Sequence, residues 1–124
     1  RDTPCIDDLL GVNGPGDMNR VWGEMFKKMS SDNLRSLAEQ ISKLKSDTFP
    51  PMRGVIDNIV YGETKKLLDT MITDIMKAAE LSADERGRWG QNFGDQLSWL
   101  PSIVAWKAYI DKFFAGSSLV RRCG

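Results

Sequence analysis

The sequence predicts an all-α fold: a single-domain bundle of about five helices around a long central helix, spanning residues 1–124. Two observations predict it. Apolar residues recur every three to four positions along most of the chain, which is the spacing of amphipathic helices. Prolines and helix-capping residues divide this pattern into segments of helical length. With 41% hydrophobic and 27% charged residues, the composition is that of an ordinary globular domain with one core.

The first half of the chain predicts a helical hairpin. Residues 1–16 combine a short apolar segment around Cys5 with a loop rich in glycine and proline. Asp17 is a suitable N-cap for a first helix to about Met29, and Ser31 for a second helix to about Lys45. The very short link between them predicts an antiparallel pair. Their apolar faces comprise Met18, Val21, Trp22, Met25, Phe26 and Met29, and Leu34, Leu37, Ala38, Ile41 and Leu44.

The central helix is predicted over residues 52–81, the longest run without proline. Its apolar stripe is broad, which indicates that neighbours cover the helix on more than one side. Thirty residues would span about 45 Å, more than the diameter of roughly 36 Å expected for a compact chain of this size. We therefore expect a bend or break near Gly62. The stripe comprises Ile56, Ile59, Val60, Leu67, Leu68, Met71, Ile72, Ile75, Ala78 and Ala79.

Two further helices are predicted after a change of direction near Leu81. Ser82 and Glu85 form a capping box, which begins a fourth helix that runs to about Leu100. Pro101 then starts a fifth helix that ends near Gly116. Their apolar faces comprise Trp89, Phe93, Leu97 and Leu100, and Ile103, Trp106, Ile110 and Phe113.

Three glycines, Gly87, Gly90 and Gly94, lie on the opposite side of the fourth helix. Each interior glycine weakens a helix by up to ~1 kcal/mol relative to alanine, so their presence requires a reason. One hypothesis is an interaction surface, the floor of a groove that a ligand approaches. The alternative, which we favour, is either that another helix packs closely against them or that the segment forms an irregular, partly non-helical turn.

The two cysteines, Cys5 and Cys123, lie almost at the two ends of the chain. The sequence begins at Arg1 instead of methionine, as expected when an upstream segment has been removed. Terminal cysteines in a processed chain predict a secreted, extracellular protein with a disulfide joining its ends. Two alternatives stay open: pairing between chains, which would give a homodimer, and two reduced thiols in a cytosolic protein.

Composition and motifs exclude several functional classes. Seventeen basic and seventeen acidic residues leave no net charge, so no sequence-wide field attracts nucleic acid or an anionic membrane. Histidine is absent, which removes the usual general base and the commonest zinc ligand. The sequence contains no cofactor or metal motif, and no apolar run approaches the ~20 residues of a membrane span.

The candidate catalytic groups are acidic pairs: Asp69 with Asp74, and Glu80 with Asp84 or Glu85. Such spacing is common on solvated helix faces, and neither a phosphate-binding loop nor a metal signature accompanies it. We therefore predict that the protein is not an enzyme and uses no cofactor.

The leading functional hypothesis is a secreted interaction protein, with the general build of small helical toxins and effectors, that binds a protein or cell-surface partner. Trp99 is its candidate anchor because it lies off the apolar stripe of its helix, whereas the other tryptophans fall on predicted core faces. Tryptophan is also enriched in binding hot spots.

Two alternative functions use the same apolar residues. The helices could enclose a cavity that carries a fatty acid or a similar apolar molecule, since methionine and aromatic side chains make a suitable lining. Residues 101–114 could instead insert into a membrane, as in a membrane-active toxin, although they lack the cationic excess of surface-seeking helices.

Overall fold

The computed structural model describes residues 3–12, 18–47, 55–99 and 103–124. It is mostly helical, and the predicted all-α fold with a disulfide between the chain ends is confirmed. The expected helix starts at Asp17 and Pro101, and residues 52–54 of the long helix, lie outside the described residues. The α-helices are α1 (Ile6–Leu10), α2 (Met18–Lys28), α3 (Ser31–Asp47), α4 (Val55–Ala79), α5 (Gly87–Leu97) and α6 (Ile103–Phe114).

The additional helix is α1, which the sequence presented only as a short apolar segment. The side-chain carboxylate of Asp8 accepts a hydrogen bond of 3.2 Å from the backbone N–H of Cys5, which caps the first turn. Gly11 ends the helix in the left-handed conformation, with φ at 74°. Five residues are too few to show helical periodicity, so the sequence did not predict α1. With it, the described residues form six α-helices where about five were expected.

The start of α5 also differs from the prediction. The carboxylate of Glu85 accepts hydrogen bonds from the hydroxyl and the backbone N–H of Ser82, at 2.7 and 3.4 Å. These contacts form, as predicted, but they begin a single 3₁₀ turn, Ala83–Glu85. The backbone N–H of Arg86 closes that turn on the carbonyl of Ala83, and α5 begins only at Gly87.

The long helix, α4, runs without interruption through Gly62. Its 25 residues span about 37 Å, close to the diameter expected for the whole chain. A Cβ atom added at Gly62 would meet no atom within 4 Å, so packing does not require glycine there. The helix lies against α3 and α5, and its buried face includes Leu68, Met71, Ile75, Ala78 and Ala79.

Helices α2 and α5 pack with their backbones in contact. A Cβ atom at Gly90 would overlap the carbonyl oxygen of Trp22 and lie 2.8 Å from the Cα of Gly23. One at Gly94 would lie 2.5 Å from the carbonyl oxygen of Met18. Only glycine permits this approach, because real Cβ atoms do not come so close to backbone atoms.

An aromatic cluster packs beside this close contact between α2 and α5. The ring of Trp22 lies 4.7–6.4 Å from four other rings, those of Phe26, Phe93, Trp106 and Phe114. Its indole N–H is buried and donates a 3.0 Å hydrogen bond to the carbonyl of Leu9 in α1. The indole therefore joins four helices, with its one polar atom paired.

Arg86 is buried, with 7% of its surface exposed, at the junction of three helices. Its Nε donates hydrogen bonds of 3.1 Å to the carbonyls of Ala78 and Leu81, at the end of α4. Its two terminal nitrogens donate to the carbonyl of Met29, just after α2, and to the hydroxyl of Ser31 at the start of α3. The last carbonyls of a helix lack helical partners and carry its negative dipole, so they suit a buried cation.

The two chain ends form a terminal clasp, which we define as residues 3–6 and 121–123. Cys5 and Cys123 are bonded within one chain, with Cα atoms 5.0 Å apart. Arg121 adds backbone hydrogen bonds on both sides, donating to Pro4 at 3.1 Å and accepting from Ile6 at 3.0 Å. This disulfide uses both cysteines, so neither thiol remains for a bond between chains.

Substitution of Gly90 tests the contact between α2 and α5. Gly90→Ala is expected to lower the free energy of unfolding by about 2 kcal/mol, because backbone atoms of α2 would have to move. Gly62→Ala is the matched control in open space and should raise it by up to ~1 kcal/mol. Urea denaturation followed by circular dichroism measures both, and two effects of the same sign would contradict the packing described.

Removal of the disulfide tests the clasp. The double substitution Cys5→Ser, Cys123→Ser is expected to lower the free energy of unfolding by up to about 5 kcal/mol, because it frees a loop that spans 118 positions. Denaturation with and without a dithiol reductant measures the effect. The reductant should destabilise the wild type and leave the variant unchanged; a variant as stable as the oxidised wild type would contradict a stabilising role.

Candidate functional site

Trp99 is the most exposed large apolar side chain among the described residues, at 77%. It follows α5 in a turn whose backbone is held by hydrogen bonds. Its N–H donates to the carbonyl of Gln96 at 3.1 Å, and the hydroxyl of Ser98 donates to the carbonyl of Asp95 at 2.8 Å. The end of a packed helix therefore fixes the backbone that carries the indole. As the sequence predicted, this side chain lies off the buried face of its helix.

The other three tryptophans have structural roles. Trp22 and Trp106 are buried in the aromatic cluster. Trp89 is half-buried against the core, and the Nζ atom of Lys77 lies 5.2 Å from its ring centre, a cation–π contact. Trp99 is thus the one indole whose position the packing of the described residues does not explain.

The structure removes Gly87, Gly90 and Gly94 from the predicted interaction surface. All three are buried on the side of α5 that faces α2. Gly90 and Gly94 meet the backbone of α2, and Gly87 meets the side chain of Lys27. Close helix packing, the alternative interpretation, accounts for them, because a groove floor would have to remain open to a ligand.

Asp69 and Asp74, the first acidic pair suggested by the sequence, do not form a shared carboxylate site. Asp69 is exposed, whereas Asp74 is buried at 8% exposure, so the two side chains leave α4 on different sides. Glu85 is occupied by the capping contact with Ser82. General acid–base catalysis by two carboxylates requires both groups to face one substrate, and Asp69 and Asp74 do not.

Asp74 is held between α4 and α5 by Gln96, whose amide nitrogen donates a 3.1 Å hydrogen bond to its carboxylate. Burial raises the pKa of Asp74 above its ordinary value, because the charged form loses contact with water. The hydrogen bond from Gln96 and the charge of Lys77 oppose this effect without cancelling it. The position suits an interhelical contact.

A groove of about 640 Å³ lies between α6 and the terminal clasp. Sequence reasoning missed it because residues from both ends of the chain build it; the available signal was the pair Arg121-Arg122 beside Cys123. A smaller groove of about 360 Å³ shares Phe114 and Ser117 with it. The larger groove is lined by Ile6, Lys107, Asp111, Phe114, Ala115, Gly116, Ser117, Val120, Arg121 and Arg122.

The described ranges show neither a metal-binding cluster nor a membrane-spanning helix. No group of three or more cysteine or acidic side chains there is placed to hold a metal ion. Within the same ranges, no helix has both the length and the apolar character needed to cross a membrane.

In the described ranges, these features define a small all-α protein with joined ends, an exposed indole at Trp99 and a mixed groove beside the clasp. No protein-family model, curated protein or solved structure matches the chain. Function is therefore inferred from its surfaces alone.

The raised pKa of Asp74 makes a prediction about pH. The folded state holds this proton more tightly than the unfolded chain, so its contribution to stability is full below the ordinary value of 3.8 and is lost as pH rises through the raised pKa. Asp74→Asn keeps an acceptor for Gln96 and removes the charged form. The variant should be more stable than the wild type near neutral pH, and the difference should shrink in acid.

Urea denaturation from about pH 3 to about pH 7 measures this difference. Asp95→Asn, at an exposed carboxylate on α5, is the matched control and should show no such gain. A wild type that is the more stable protein at neutral pH would contradict the effect of burial on Asp74.

Proposed function

We propose that this chain is a secreted interaction protein, of the toxin or effector kind, that acts by binding a partner protein through Trp99 and not by catalysis. The single observation that carries the proposal is the 77% exposure of an indole held at the end of a packed helix. Large aromatic residues in such positions are typical of binding hot spots.

The size of the effect makes Trp99 a suitable anchor. An aromatic side chain buries about 150–250 Å² when covered, at about 25 cal/mol for each Å². Covering the exposed part of this indole would contribute roughly 3–5 kcal/mol before the costs of association. Since the turn after α5 is already hydrogen-bonded, little backbone order has to be gained on binding.

The disulfide supports the secreted part of the proposal. Disulfides form and persist in oxidising compartments and are rare in the cytosol. The bond between Cys5 and Cys123 closes nearly the whole chain. A small protein released from a cell benefits from this restriction of its unfolded state.

The described contacts do not favour membrane insertion of α6 or a ligand enclosed within the aromatic cluster. The buried face of α6 includes Trp106, Ile110 and Phe114, so membrane insertion would require these side chains to leave the core. Within the aromatic cluster, neighbouring ring centres lie 4.7–6.0 Å apart, as in a packed core.

Trp99→Ala is expected to leave the fold intact and to weaken partner binding by about thirtyfold, as truncation of a hot-spot residue does. The disulfide-bonded wild type and the variant are immobilised and exposed to solubilised cell-surface proteins, and the retained proteins are quantified by mass spectrometry. Met76→Ala, at a second exposed apolar side chain on α4, is the control and should retain the same partner as the wild type.

Circular dichroism and thermal unfolding of Trp99→Ala are measured alongside. A variant that unfolds would show that Trp99 belongs to the core. A folded variant that retains the wild-type partner undiminished would show that the interaction uses another surface.

A further inference from the structure

We propose that the groove between α6 and the terminal clasp binds a small amphipathic carboxylate, a molecule with one anionic head and an apolar tail. This ligand site is separate from Trp99, which follows α5, and does not depend on the interaction function proposed above.

The shape of the groove supports a small-molecule ligand. Its volume of about 640 Å³ lies within the roughly 300–1,000 Å³ of typical ligand sites. Ile6, Phe114 and Val120 contribute apolar surface, and all three pack in or against the hydrophobic core. An apolar tail can therefore lie on side chains that the fold already holds in place.

The charges of the groove select an anion. Lys107, Arg121 and Arg122 contribute three positive charges and Asp111 one negative charge, which leaves two positive charges in a chain with no net charge. Lys107 and Asp111 are one helical turn apart on α6, yet no ion pair joins these two described residues. A local excess of positive charge beside an apolar surface attracts an anionic head.

The clasp holds the arginines at the groove. The Nε atom of Arg121 donates a 3.0 Å hydrogen bond to the carbonyl of Thr3, and its Nη1 atom donates to the carbonyl of Arg122 at 3.4 Å. Arg122 itself is exposed. A guanidinium group presents paired donors that match the two oxygens of a carboxylate. Arg122 and Lys107 are therefore the residues expected to bind the head group.

The apolar lining distinguishes this ligand from a bare anion. Inorganic phosphate would use only the charged groups and leave the apolar surface in contact with water. A molecule with both parts uses both, and burial of each methylene group strengthens binding about fourfold. A medium-chain carboxylate is the simplest molecule with this combination.

Decanoate, kept below the concentration at which it forms micelles, is the probe for the full disulfide-bonded chain. Titration is followed by the backbone amide signals in nuclear magnetic resonance spectra. Saturable shifts are expected at Gly116, Ser117 and Val120. Decanol, which has the same chain length without the charge, should bind at least several-fold more weakly.

Variants assign the head-group contact. Lys107→Ala and Arg122→Ala should each weaken decanoate binding about three- to fivefold, the effect of an exposed charge pair. The controls are Lys43→Ala on α3 and Arg88→Ala on α5, both at exposed cations away from the groove, and they should bind as the wild type does.

Three results would overturn the proposal. These are an absence of saturable binding, shifts confined to residues outside the groove, and equal affinity for decanoate in the wild type and both groove variants. Since every substituted side chain is exposed, spectra of the unliganded variants should keep the wild-type dispersion, so a loss of binding is not confused with unfolding.

Discussion

The rest of the fold depends on the backbone contact between α2 and α5. Because Gly90 and Gly94 carry no side chain, the carbonyls of α2 lie directly against α5. With the two helices this close, the ring centres of Trp22 and Phe93 lie 4.7 Å apart. Helices α1 and α6 pack around these rings. Larger residues at these glycines would separate the helices and leave the largest buried side chains without close neighbours. A steric constraint thus determines how the apolar surface is buried.

Arg86 and the terminal clasp then hold the ends of the helices and of the chain. Arg86 gathers carbonyls from the end regions of α2 and α4, each charge-assisted bond being worth about 1.5–3 kcal/mol when its loss leaves buried groups unpaired. The clasp acts on the chain ends, where the disulfide restricts the unfolded state and Arg121 pairs backbone groups on the adjacent segment. Both devices satisfy backbone groups that helix formation itself leaves without partners.

Local signals in the sequence were sufficient for most helices and for the exposure of Trp99, because amphipathic spacing depends on neighbours three and four positions away. They failed where distant residues meet. A glycine inside a helix is destabilising, so the sequence shows that Gly90 needs a compensating role. Only the close approach of the Trp22 and Gly23 backbone shows that this role is helix packing. The larger groove joins Ile6 to Arg121, so no local pattern describes it. Helix α5 begins at Gly87, later than the start predicted from Ser82, because a capping box can also begin a 3₁₀ turn.

Several buried polar side chains in the described ranges hold the helices together. Arg86 binds carbonyls, Asp74 binds Gln96, and the hydroxyl of Tyr109 donates to the carbonyl of Leu37. The two proposed binding surfaces, the exposed indole and the basic groove, depend on different parts of the fold, since α5 holds the backbone that carries Trp99 and the clasp holds the groove. Reduction of the disulfide should therefore disturb the shape of the groove before it disturbs the turn that carries Trp99, so the two surfaces can be distinguished by experiment.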